Sequence, residues 1–172
     1  MKEYTINLKK QLKAFSFMFY MVLFILAILT YYWYNNELDT ELIGYFALFL
    51  VISFMPVIYL HLEYLNINHG LKISIDKENC VFYLFDKKKE VPKNLAFGDI
   101  TKIVIYSALS IKKKSNFQLL PFENYHFARI YTRTEELIDI TSLLMDDMVA
   151  VLSELEGIKP QFKFRFFATT LF

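Results

Sequence analysis

The apolar positions of this chain fall in two unbroken blocks, followed by a region where apolar and polar residues alternate over short distances. From Ala14 to Tyr34, 21 residues run without a formal charge, and a second run of 21 extends from Leu42 to Leu62. As helices, each reaches roughly 31 Å, about the thickness of a bilayer's hydrocarbon core. The pattern predicts a transmembrane hairpin over 14–62, with spans 14–34 and 42–62. A basic arm (1–13) precedes it, and a linker (63–70) follows. Tyr31-Tyr32-Trp33-Tyr34 suits a headgroup zone, where a flat ring can be half wet. The length of the first run, its aromatic end and the second run behind it argue against a cleaved signal peptide.

Charge orients this hairpin. Lys2, Lys9, Lys10 and Lys13 stand against Glu3 before the first span, while Glu37, Asp39 and Glu41 lie between the spans without a base. Basic flanks are retained in the cytoplasm. The expectation is a two-pass protein of the bacterial inner membrane with both ends inside. Pro56 removes a backbone donor from the second span and should kink it, either to adjust its shape or to act as a hinge. Neither span holds a charge near its middle, which weighs against an ion pathway.

Beyond Asn66 the texture becomes strand-like. Leu71 to Asp76 alternates with period two, Lys77-Glu78-Asn79 reads as a turn, and Cys80 to Phe85 completes a hairpin. Leu95 to Phe97 and Ile100 to Ser107 read as strands around Gly98-Asp99. Phe117 to Phe122 reads as a short strand, and His126 to Arg133 with Leu137 to Thr141 as another hairpin. Then the period changes. Leu143, Leu144, Met148, Val151, Leu152 and Leu155 approach helical spacing, predicting an amphipathic helix over 142–156 that ends at Gly157. A final strand is expected over 161–168. The fold class is therefore α+β. A helical hairpin leads into a domain (71–172) of six or seven short antiparallel strands, forming a small barrel or curled sheet capped by one helix.

Composition sharpens this picture. The chain is 55% hydrophobic and 18% aromatic, yet 22% charged, which reconciles only if the apolar residues are concentrated. A net charge of +1 gives no global field for nucleic acid. Cys80 is the only cysteine, so no intramolecular disulfide forms, and its strand-like setting suits a small core residue. No glycine-rich phosphate loop and no nucleophile–base–acid set can be assembled, with His126 read as a strand residue. His61, Glu63 and His69 make a poor metal set, since positions 61 and 63 point to different sides of a helix. No cofactor is expected.

Chemistry that could bind something lies in the cations. Lys87, Lys88 and Lys89 form one basic turn, and Lys112, Lys113 and Lys114 another. They are solvated turn tips, a face toward anionic headgroups at about 1 kcal/mol per lysine, or a site for a small anionic ligand. Arg129, Arg133, Lys163 and Arg165 are further candidates. In the tail, Phe162, Phe164 and Phe166 share one side of a strand, with Lys163, Arg165 and Phe167 on the other. That segment adds an apolar face to the domain or forms an interfacial patch.

The run Phe97-Gly98-Asp99-Ile100-Thr101-Lys102-Ile103 and the passage Ile138-Asp139-Ile140-Thr141-Ser142-Leu143-Leu144 resemble the bacterial PH-like domains over about residues 71–157. The resemblance implies a bent seven-stranded barrel with a C-terminal helix, often preceded by a two-helix hairpin, and brings no catalytic residue. The segment 162–167 departs from that pattern. The expected function is a membrane-anchored, non-enzymatic binding or regulatory module engaging a protein partner or anionic lipid, with the hairpin as a site for self-association. The layout also resembles two-helix, β-barrel effectors of antiphage defence gated by a cyclic oligonucleotide. A membrane immunity protein against a toxin is a third reading.

Overall fold

In a computed structural model of the protein, residues 2–87, 92–108, 121–155 and 157–171 are described. Helix α1 (Leu8–Tyr34) starts where Asn7, in extended conformation, accepts a hydrogen bond from the Lys10 backbone N–H at 2.9 Å. Helix α2 (Thr40–Asn68) is capped in the same way by Asp39, which accepts from the Leu42 N–H at 2.6 Å. Asn36, at φ 56°, supplies the left-handed step between them. Each helix is long and apolar enough to cross a membrane. α2 continues as one helix through Pro56.

The helices do not precede the domain; they interrupt it. Strand β1 (Lys2–Tyr4) pairs antiparallel with β2 (Leu71–Asp76), placing Lys2 opposite Ile75 and Tyr4 opposite Ile73. Segment 1–13 is thus not a free arm. Tyr4 is buried in the domain core, and the helix begins six residues before Ala14. Strands β3 (Val81–Asp86) and β4 (Pro92–Ala96) complete the first sheet in the order β1-β2-β3-β4. A 3-10 turn at Phe97–Asp99 leads into the second sheet. Its strands are β5 (Ile100–Ser107), β6 (Phe127–Thr132), β7 (Leu137–Thr141) and β8 (Gln161–Phe164), ordered β7-β6-β5-β8. β8 runs parallel to β5, and the other pairings are antiparallel.

Sheet two is covered on both faces. One face carries Ile103, Ile105, Ala128, Ile130 and Ile140 into a core shared with sheet one and with helix α3 (Met148–Ser153). Phe82, Phe97, Leu144 and Leu152 fill the same core. The other face presents Val104, Tyr106 and Phe127 to Val57, Leu60 and Tyr64 of α2, joined by Phe122, Tyr125, Leu143 and Ala168. The central strand β5 is therefore buried without alternation from Ile103 to Ser107.

Several expectations are corrected. The described residues form two four-stranded sheets and no closed barrel. The expected helix over 142–156 shrinks to α3. Leu143 belongs to the core on α2's side of sheet two, while Leu144 and Met145 belong to the core on the opposite side. A turn at the sheet edge, where Thr141 O accepts from the N–H groups of Leu144 and Met145 at 3.0 Å each, sends neighbouring side chains to opposite cores. The expected linker 63–70 is mostly helix, because Tyr64 and Asn68 are buried against the sheet.

Other boundaries move too. Strand 161–168 ends at Phe164, after which the tail turns toward α2. Cys80 lies in a turn at φ 54°, half-buried at the core's edge rather than inside a strand. His126 precedes β6 instead of lying in it. Of the expected strand Phe117–Phe122, residues 117–120 lie outside the described residues, and Pro121–Asn124 is a 3-10 turn.

Candidate binding site where the helix pair meets the domain

α2 ends inside a set of directed hydrogen bonds. His61 Nδ1 lies 3.0 Å from the Tyr125 hydroxyl, and Tyr64 donates to Ala168 O at 2.6 Å. Glu63 Oε1 accepts from Thr169 Oγ1 at 3.0 Å and from Thr170 N at 2.6 Å. Its Oε2 is buried without a partner among the described residues. Asn68 closes the series on β7. Phe15 of α1 packs on His61, with ring centroids 4.3 Å apart. The last two turns of α2 thus grip the domain, so hairpin and sheet two share one packed core.

On the α1 side of this junction lies a cavity of about 200 Å³ with both polar and apolar walls. Lys10, Lys13 and Ser16 form its helical wall, and Asn124, His126, Ser142 and Asp146 the domain wall. Helical spacing places Lys10 and Lys13 on one face, three residues apart. Lys10 Nζ donates to Leu144 O at 2.6 Å, which leaves two of its three protons for another acceptor. Lys13 Nζ lies 3.4 Å from Asp146 Oδ2, with the lysine side chain 73% and the aspartate 46% exposed. Burial alone would raise the Asp146 carboxyl, but Lys10 and Lys13 hold it below the ordinary range. Burial pushes the His126 imidazole down, partly opposed by its 2.9 Å contact with Asn124 O. The Tyr125 hydroxyl is pushed up by burial. Two cations, the hydroxyls of Ser16, Tyr125 and Ser142 and the His126 imidazole face one carboxylate, Asp146, so an anionic group entering here has to take the place of Asp146 beside Lys13.

A larger gap of about 710 Å³ opens between the β4 and β7 edges, lined by Leu71, Leu84, Leu137 and Ile138. The charges on its rim are already paired, Lys93 with Glu136 and Arg129 with Asp139. Among the described residues no three metal-ligating side chains gather.

The candidate cations separate. Arg129 makes a two-pronged contact with Asp139 at 2.8 and 2.9 Å and donates to Thr170 O at 2.9 Å, so it fixes the tail to the sheet. Arg165 and Lys163 sit over the Tyr106 ring, 4.4 and 5.9 Å from its centroid. Arg129 covers Phe127, which stacks on Tyr106 with centroids 4.7 Å apart. The fold therefore brings Arg129, Lys163 and Arg165 to one face of sheet two. Arg133 is exposed, and its backbone N–H bonds Asp99 O at 2.8 Å, at the β6 end away from the hairpin. Lys87 is an exposed turn residue whose side chain lies against Gly70. Lys88, Lys89, Lys112, Lys113 and Lys114 lie outside the described residues. Lys10 and Lys13 were not singled out by sequence reasoning as binding residues. Their place at the last turn before the charge-free run was the available signal.

No curated protein matches the chain. A family model described as a PH domain matches residues 3–150, beginning in β1 and running through both helices to α3. With the match covering most of its length, the chain belongs to the PH domain family.

Proposed function

We propose that the protein is a two-pass, membrane-anchored, non-enzymatic binding module, with its domain on the cytoplasmic face. Its cavity at the hairpin base takes the anionic headgroup of a lipid. The observation that carries this reading is the position of Lys10 and Lys13. They line that cavity four residues and one residue before the charge-free segment starting at Ala14, at the level where phosphates lie once that segment spans a bilayer. A phosphate there displaces Asp146 from Lys13, an exposed ion pair worth little. Membership of a family of binding modules supports the non-enzymatic reading.

The test uses the full chain in nanodiscs of neutral lipid, with and without anionic lipid. Anionic lipid should raise the melting temperature, as any ligand of the native state does, and salt should reduce the shift. Lys10→Gln with Lys13→Gln should abolish it. Equal melting temperatures of the parent in both lipid mixtures would overturn the headgroup reading.

A further inference from the structure

The tail beyond β8 leaves the domain at a particular height. Tyr64 holds Ala168, and Glu63 holds Thr169 and Thr170, so the tail is fixed to the first two residues after the charge-free segment 42–62. β8 runs parallel to β5, and the Ser107 end of β5 pairs beside Phe127, next to the Tyr125 that contacts His61. The Phe164 end of β8 thus points toward the hairpin. Phe166 and Phe167 pack on Phe122 at 5.2 and 4.8 Å between centroids, and the turn carrying Phe122 touches both α1 and α2.

At this height the tail displays large apolar side chains. Phe164 is 55% exposed, Phe166 56%, Phe167 41% and Leu171 66%, values a soluble face does not favour in one short segment. Lys163 and Arg165 stand among them.

We propose that this tail is a third membrane contact, lying in the bilayer interface without crossing it. Phe164, Phe166, Phe167 and Leu171 enter the boundary between headgroups and acyl chains, and Lys163 stays with the phosphates. Amphipathic segments bind this way, by apolar area with cations at the polar edge. The occupant is the bilayer because the patch continues the surface of the two spans, at the level where α2 leaves it. The inference rests on the membrane reading of the hairpin but not on the headgroup cavity.

Depth-dependent quenching tests it in the full chain, reconstituted in neutral lipid brominated near the top of the acyl chains. Native Trp33 in the parent reports insertion of the hairpin. In a Trp33→Phe background, Phe164→Trp and Phe166→Trp should each lose emission to the brominated lipid. Phe85→Trp, at the one exposed position of β3 in sheet one, should not. Quenching of Trp33 together with tail tryptophans no more quenched than Phe85→Trp would overturn the proposal. An unquenched Trp33 would instead overturn the spanning hairpin, and the tail contact with it. Neutral lipid keeps either result independent of the anionic cavity.

Discussion

Asn68 of α2 bonds Thr141 of β7 as a neighbouring strand would. Its Oδ1 accepts from the Thr141 backbone N–H at 2.9 Å and from Thr141 Oγ1 at 2.6 Å, while its Nδ2 donates to Asp139 O at 2.9 Å. One side-chain amide thereby supplies the donor and acceptor that the outer edge of β7 lacks. It covers the part of that edge nearest the hairpin, an unpaired edge being a template for unwanted pairing. Both residues are buried, Asn68 at 1% exposure and Thr141 at 0%.

Replacing Asn68 with Ala should therefore cost more than a surface change. It leaves a buried N–H and a buried hydroxyl without partners, a loss of about 1–3 kcal/mol. Thermal unfolding of the full chain in micelles should show a lowered midpoint, and the Thr141 amide should exchange hydrogen faster. An unchanged midpoint would mean that α2 does not hold the sheet through this residue.

His126 makes stability pH-dependent in a defined direction. Burial lowers its folded-state pKa below that of the unfolded chain, about 6.5. As pH falls through that value the unfolded state takes up a proton that the folded state refuses, so stability is lost on acidification and intact above it. Lys10, Lys13 and Asp146 line the same cavity, so the charges around the imidazole are of both signs and burial sets the direction. His126→Gln should flatten the decline in melting temperature between about pH 7 and pH 5 relative to the parent. Parallel pH profiles would show that the imidazole stays accessible to solvent in the folded protein.

Topology offers an independent check. Because β1 and β2 pair across the helix insertion, two crossings return the chain to the side from which it started. Under the proposed reading, with the basic flank inside, that side is the cytoplasm. A fluorescent reporter fused behind the tail in a bacterial host should be active, and a phosphatase that works only outside should be silent there. An active phosphatase would reverse the assignment.

The helices and most strands were legible because their signals are local: unbroken apolar runs, period-two alternation, and turn residues such as Asp76, whose carboxylate accepts from the N–H groups of Glu78 and Asn79 at 3.1 Å each. Phe97, Ile103, Ile105, Ile130, Ile140, Leu144 and Leu152, buried here, lie in patterns visible in the sequence. The junction was not legible, although one clue was present. Ile103-Val104-Ile105-Tyr106 is apolar at every position, the mark of a strand covered on both faces, and it asked for a second cover that proved to be α2. Other parts depend on contacts distant in sequence. β1 is three residues long, and only its partner in β2 makes it a strand. Arg129, Lys163 and Arg165 converge because β8 crosses to the far edge of sheet two, which no spacing encodes.

The insertion of the helices between β1 and β2 bears on how the protein is made. Lys2 meets Ile75 only after everything between them has been synthesised and both helices have been placed. The first sheet cannot be completed ahead of the hairpin. Under the proposed two-pass reading, a chain that threads only one helix would strand β1 on the opposite side of the membrane from β2, leaving the Tyr4 position in the core unfilled. On that reading, pairing of β1 with β2 requires that both helices have crossed. A copy with one helix threaded would keep the β2 edge unpaired, since β1 is its only neighbour on that side.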